Sequence, residues 1–122
     1  MEPLSLVIYN KDPGTAQSLE VSLSQHFEPV RLVRKYEELS TVIAKHRAAV
    51  LVLDLESSRA DAVRHFHKEF PALCIVATHR LADDEVWTDA MTQGAADVCE
   101  PRNEQVLNSV LREGRHFSAA AA

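Results

Sequence analysis

Six apolar residues in a row, Ala48-Ala49-Val50-Leu51-Val52-Leu53, run without a break into Asp54. A run of that kind fits a strand buried on both faces, the situation of a central strand in a parallel sheet. Shorter apolar runs lie at 4–9, 30–33, 73–77 and 95–99 and predict four more strands. Helical spacing fills the intervals between them. Ala16, Leu19, Leu23 and Phe27 recur every three or four residues and predict a first helix, stopped by Pro29. Leu39, Val42 and Ile43 predict a second, ending near His46 and Arg47. Val63, Phe66 and Phe70 predict a third that ends before Pro71, because a residue preceding proline avoids the helical region. Asp83-Asp84-Glu85 places acid at the start of a fourth helix, where the macrodipole favours it; Val86, Ala90 and Met91 follow, and Gly94 is the stop. Val106, Leu107, Val110 and Leu111 predict the last helix. From Ser118 onward no core pattern remains, so residues 1–117 are expected to form the domain and 118–122 a linker stub or tail.

Strands that alternate with helices over short loops require right-handed crossovers and a parallel sheet. The expectation is an α/β domain with a five-stranded, doubly wound parallel sheet in strand order 2-1-3-4-5. That order brings the carboxyl ends of strands 1, 3, 4 and 5 together. Asn10, Lys11, Asp12, Asp54, Thr78, Glu100 and Pro101 would then share one crevice, with Asp54 facing the topological switch point between strands 1 and 3. Read alone, Asp54 is equally a loop aspartate capping the next helix, since Ser57 and Ser58 follow it.

Composition narrows the function classes. A chain of 122 residues supports one core. A formal net charge of -5, with 13 scattered Lys and Arg, argues against nucleic acid as a direct partner. No apolar stretch approaches the roughly 20 residues that span a bilayer, and Met1-Glu2-Pro3 is not the basic start of a signal peptide, so a cytoplasmic location is expected. Cys74 and Cys99 sit beside apolar residues and are expected to be buried free thiols. Only three glycines occur, too few for a glycine-rich phosphate loop, which weighs against an enzyme or nucleotide binder of similar topology.

The apolar strand ending in Asp54, Thr78 at the end of strand 4, and Gly94-Ala95-Ala96-Asp97 before strand 5 together resemble a response regulator receiver domain, a flavodoxin-like fold related to the chemotaxis regulators. The resemblance covers nearly the whole chain. It implies a signalling module of a two-component system, not an enzyme. Asp54 stands at the position that accepts a phosphoryl group from a histidine kinase with Mg²⁺ balancing the charge, and Thr78 is the switch hydroxyl. It also implies contact with a histidine kinase or other signalling protein, and a homodimer surface on helix 4, strand 5 and helix 5.

The departures from the family pattern are equally specific. Two adjacent acids are expected after strand 1 to hold the metal, and here the register reads Asn10-Lys11-Asp12-Pro13. Mg²⁺ takes hard oxygen ligands, so an ammonium in that place opposes it and little or no metal is expected. Asp12 falls one residue late, where capping helix 1 is its expected role. The Lys-Pro dipeptide of strand 5 becomes Glu100-Pro101 if one residue is deleted, or Pro101 itself fills the lysine slot in a gap-free register; Arg102 is the nearby basic residue. One expectation follows, that Lys11 replaces the metal by pairing with Asp54, and with Glu100. Two readings stay open: an atypical receiver acting through protein contacts with impaired phosphorylation, and a working phosphoacceptor on Asp54.

The remaining conspicuous residues have plain expectations. His65 and His67 are two apart on a helix, point to different faces and are expected in solvent. His79 is a loop residue near the pocket mouth. Trp87 and Met91 share a helical spacing that suits either sheet packing or a partner surface. Val98 occupies the place where the family carries an aromatic switch.

Overall fold

A computed structural model describes residues 2–114; the expected tail at 118–122 lies outside the described residues. Five strands, β1 (Glu2–Tyr9), β2 (Phe27–Val33), β3 (Val50–Asp54), β4 (Cys74–Thr78) and β5 (Asp97–Cys99), form one sheet in the order β2-β1-β3-β4-β5. All neighbours pair in parallel. The helices are α1 (Pro13–Ser24), α2 (Leu39–His46), α3 (Ala62–Glu69), α4 (Asp84–Gln93) and α5 (Asn103–Ser109), the last running into a wider π turn over Val110–Gly114. The expected topology is the observed one.

Side chains alternate across a strand, so one apolar strand feeds two cores. On β3, Leu51 and Leu53 join Val7, Tyr9, Ile75 and Ala77 beneath Leu39 and Ile43 of α2, Val63 and Phe66 of α3, and Ala90 of α4. Val50 and Val52 face the other way, with Leu6, Ile8, Cys74 and Val76, onto Leu19 and Leu23 of α1 and Val106 of α5. Every residue of β3 and β4 is buried, which is why neither strand shows polar alternation.

Two boundaries depart from expectation. Phe27 does not belong to the face of α1; the helix ends at Ser24, and Phe27 opens β2, 1% exposed in the α1 core. Its helical spacing from Leu23 is shared with a strand residue that fills the same layer. Pro29 lies within β2 rather than ending α1, and a missing N–H is tolerated there because β2 is an edge strand.

Gly94 is fixed by both backbone and space. It follows α4 at φ +121°, donates its N–H to Ala90 and Met91 carbonyls, and a Cβ there would lie 2.6 Å from Cγ of His67. His67 is exposed as expected, and its ring base lies beside the α4 terminus. Gly94→Ala should cost about 1–3 kcal/mol from the backbone strain, read as a lower urea midpoint. Adding His67→Ala should recover the part due to the clash and leave the strain.

Candidate functional site

The end of β3 delivers Asp54 into a crevice at 5% exposure. A buried carboxylate without donors is costly, and the fold supplies two. Asp54 pairs in register with Thr78 on β4, and the Thr78 hydroxyl donates to Asp54 Oδ1 at 2.9 Å. After β3 the chain turns through a short 3-10 segment, Leu55–Ser57, which curls Ser57 back so that its hydroxyl donates to Asp54 Oδ2 at 2.6 Å. Ser57 is itself held from two sides. The backbone N–H of Lys11 donates to its Oγ at 2.9 Å, and the Tyr9 hydroxyl donates to its carbonyl at 3.1 Å. Ser58 ties the turn down by donating to the Asp54 carbonyl at 2.7 Å. Asp54 makes no side-chain cap.

This arrangement corrects the expected Lys11–Asp54 pair. The Lys11 side chain is exposed, and among the described residues it makes no ion pair with Asp54 or Glu100. Two neutral hydroxyls, at no cost in desolvating an ammonium, do what the lysine was expected to do. Lys11 contributes through its backbone, fixing Ser57.

Asn10 is 8% exposed, and its Oδ1 accepts the N–H of Asp12 at 2.9 Å, closing the turn out of β1. Asp12 caps α1 as expected: its Oδ2 accepts the N–H of Thr15 at 3.0 Å and the Thr15 hydroxyl at 2.6 Å. Those hydrogen bonds hold its carboxyl below the ordinary aspartate range. Glu100 is a second correction, since it does not line the crevice. Its carboxylate pairs with Arg102 at 3.0 Å while its N–H donates to Gln105 Oε1, so Arg102 is no replacement for the absent lysine either. Pro101 does line the crevice.

The donor set is therefore a poor fit to a divalent cation. Asp54 stands with an asparagine and a lysine where two carboxylates would be needed, and Asp12 is committed to its cap. Among the described residues no three His, Cys, Asp or Glu side chains converge to hold a metal.

Two further residues define the mouth. Glu56 and Arg80 lie two places beyond Asp54 and Thr78, so the register of β3 and β4 carries them opposite one another. Arg80 grips Glu56 through Nε at 3.0 Å to both carboxylate oxygens and Nη2 at 2.7 Å, and its backbone N–H donates to Oε1 at 2.9 Å. His79 sits behind, its Nδ1 accepting the N–H of Leu81 at 2.9 Å. The pocket, of about 550 Å³, is lined by Asp54, Glu56, Ser57 and Arg80 on one side and Asn10 to Pro13 with Thr15 and Pro101 on the other. Neither Glu56 nor Arg80 drew notice in the sequence, although the offset from Asp54 and Thr78 was there to be read.

Away from the pocket, Trp87 is 47% exposed while Met91 packs on the α4 side of the core, so their shared spacing splits across the helix edge. His65 is exposed as expected, resting edge-on against Phe66 and lying 3.6 Å from Glu69. Val98 is buried in β5. Asp97 accepts from Ser109 at 2.7 Å and Arg112 at 2.6 Å, which moors β5 to α5. Burial pushes the Cys74 and Cys99 thiols up to about 12, so neither is a nucleophile.

Arg80, through its guanidinium first and its backbone N–H second, lowers the Glu56 carboxyl from an ordinary 4.5 to about 2. A group whose folded pKa is depressed contributes stability in full above its unfolded value and loses it as pH falls through the folded one. The difference in urea midpoint between the wild type and Glu56→Gln should therefore be largest above about pH 4.5 and close between there and about pH 2. Because the pair is solvent-exposed, the difference should be small and should shrink further in salt.

No family model and no curated protein matches the sequence. Solved structures do match. The receiver domain of a two-component response regulator from Bacteroides fragilis superposes with a TM-score of 0.82 at 20% identity, over 93% of this chain and 98% of that one. NtrX from Brucella abortus gives 0.86 at 15% identity over 99% of this chain, which spans only 28% of NtrX. A CheY-like protein, TadZ, from Pseudomonas aeruginosa PAO1 gives 0.71 at 24% identity, over 91% and 93%. The chain has the fold of the response regulator receiver domains.

Proposed function

We propose that this chain is a signal-receiving module of the response regulator kind whose acceptor pocket is closed without a divalent metal, and which acts through protein contacts. The observation that carries the reading is the Asp54 carboxylate, with both oxygens already engaged by the Thr78 and Ser57 hydroxyls and, among the described residues, no group of three metal-ligating side chains around it. A phosphoryl transfer to Asp54 needs one of those oxygens to attack phosphorus while the charge on the transferring group is neutralised. Here the attacking oxygen must first give up a 2.6 or 2.9 Å hydrogen bond, and the metal site is missing two acids. Phosphorylation is therefore impaired, and a histidine kinase or another signalling protein is the partner class.

The contact surface is that of α4, β5 and α5. Leu81, 71% exposed, and Trp87 stand there among Asp83, Asp84, Glu85 and Asp89. Exposed aromatics of this sort anchor protein interfaces, and a second copy or a different protein can use them. The acidic surround speaks against direct nucleic-acid binding. Among the described residues no helix is long and apolar enough to cross a membrane.

Incubation with acetyl phosphate and Mg²⁺, followed by intact mass, tests the reading. Transfer would release acetate and leave an acyl phosphate on Asp54. The expected outcome is no adduct, or a trace that Asp54→Ala abolishes; a stoichiometric, hydroxylamine-labile adduct would make this a working phosphoacceptor. Asn10→Asp combined with Lys11→Asp restores two acids beside Asp54 while keeping the acceptor atom that Asn10 offers to Asp12. That double variant should gain Mg²⁺ binding by isothermal titration where the wild type shows none.

A further inference from the structure

The loop that joins β4 to α4 is anchored on a side chain that can change charge. His79 follows Thr78 directly, and its Nδ1 accepts the N–H of Leu81 at 2.9 Å. A ring nitrogen that accepts is unprotonated, so the imidazole here is neutral with its proton on Nε2. The same Nδ1 lies 3.9 Å from Glu56 Oε1, too far for a hydrogen bond and within reach of an ion pair. We propose that His79 is a proton-operated switch of this loop: neutral, it holds the Leu81 N–H; protonated, it releases that N–H and turns Nδ1–H to Glu56, so that the exposed Leu81 and the start of α4 are presented differently on the two sides of the histidine titration. This goes beyond the closed-pocket reading and does not depend on it.

Chemistry forces the exchange. An imidazolium has two donors and no acceptor, so the Leu81 bond cannot survive protonation, and solvent supplies the proton to a side chain 23% exposed. Beyond Leu81 the bonds run on into the helix. The Leu81 carbonyl accepts the Asp83 N–H at 2.7 Å, the Asp83 carbonyl accepts the Trp87 N–H at 2.9 Å, and the Asp83 carboxylate accepts the Val86 N–H at 3.0 Å. Behind the ring, the His79 N–H is fixed to the Cys99 carbonyl at 3.0 Å, so the His79 backbone stays on β5 while its ring and the loop move. The ionisable side chains on the surrounding elements are Asp54 and Glu56 after β3, Arg80 on the loop itself, Asp83 and Asp84 at the start of α4, and Cys99 and Glu100 at the end of β5. Among the described residues only Glu56 comes within ion-pair distance of the ring. Arg80 holds the Glu56 carboxyl down at about 2, so a carboxylate waits there throughout the histidine range. On arrival the imidazolium shares Oε1 with the backbone N–H and Nε of Arg80, which alters the second tie of the same loop.

NMR of the imidazole nitrogens and backbone amides of the full chain, recorded from about pH 8 down to about pH 5, tests the switch, with His79→Asn and His79→Ala beside the wild type. In the wild type the Leu81 and Asp83 amides should shift with the same midpoint as the His79 ring. Hydrogen-exchange protection of the Leu81 amide should fall about fivefold across it, as expected for the loss of one hydrogen bond. An asparagine side chain offers a neutral acceptor to the N–H two residues on, so His79→Asn should keep Leu81 protected at both ends of the range. His79→Ala should leave it unprotected at both. Three results would each overturn the switch: a Leu81 amide indifferent to the His79 titration, a step that survives in either variant and so belongs to another of the six histidines, or a ring that stays neutral down to acid unfolding. None of them bears on whether Asp54 accepts a phosphoryl group, so the closed-pocket reading is tested separately.

Discussion

The rest of the site follows from one constraint, a carboxylate placed at the buried end of a fully apolar strand. Asp54 cannot retreat into solvent, because β3 is flanked by β1 and β4 and covered on both faces. It must find donors within its own crevice. The parallel register supplies Thr78 from the neighbouring strand, and the tight turn after β3 supplies Ser57 from the same chain. Tyr9 then acquires its purpose as more than packing. Its ring stacks edge-on against Tyr36, which stacks in turn against Phe66, and its hydroxyl reaches over to pin the Ser57 carbonyl. An apolar column through the α2 and α3 side of the core thus ends in the hydrogen bond that fixes a donor to Asp54.

The same constraint explains why sequence alone located the crevice and not its wiring. The alternation of apolar runs with helical spacing specified the strand order, because parallel strands in short βα units leave few topologies. Once the order is set, Asp54, Thr78 and the residues after β1 must converge. Which of them touch is decided by turn geometry at single residues, and that geometry is not carried by hydrophobic pattern. Ser57 looks like an ordinary helix-start residue until the 3-10 turn folds it back. Lys11 looks like a counter-ion until its side chain is found outside and its backbone inside. Glu100 sits one residue from Pro101, and only the local bond to Gln105 and the pair with Arg102 turn it away. Phe27 shows a second kind of limit. Its burial was legible, whereas its membership of a strand was not, since a helix and the strand after it can fill the same layer.

Charge placement separates this pocket from one organised around a divalent ion. Coordinating a cation would require several carboxylates held close together, whose mutual repulsion the ion relieves. Here the acids have been dispersed to separate tasks. Asp12 caps α1, Glu56 holds Arg80, Glu100 holds Arg102, and Asp54 alone remains at the centre with hydroxyls for company. Each acid has its own partner, so no electrostatic stress is left for a metal to relieve.

The dispersal has a mechanical consequence. In a metal-centred pocket the ion would tie the ends of β1 and β3 together, whereas here a surface ion pair ties the turn after β3 to the loop after β4, through Glu56 and Arg80. That loop leads into α4, whose first two turns are exposed apart from Val86 and Ala90. A helix that buries so little of itself is held chiefly by its ends, by the Asp83 cap at one and Gly94 against His67 at the other. Its carboxyl end turns at Gly94 in a backbone conformation that only glycine adopts easily and is tied further by Gln93, which bonds Ala60 and the Arg64 N–H, whereas its amino end has the Asp83 cap alone. The amino end is where the Arg80 contact, Leu81 and the acidic first turn meet. A change in the Glu56–Arg80 contact would therefore be felt first at the amino end of α4, beside the exposed Leu81 and Trp87.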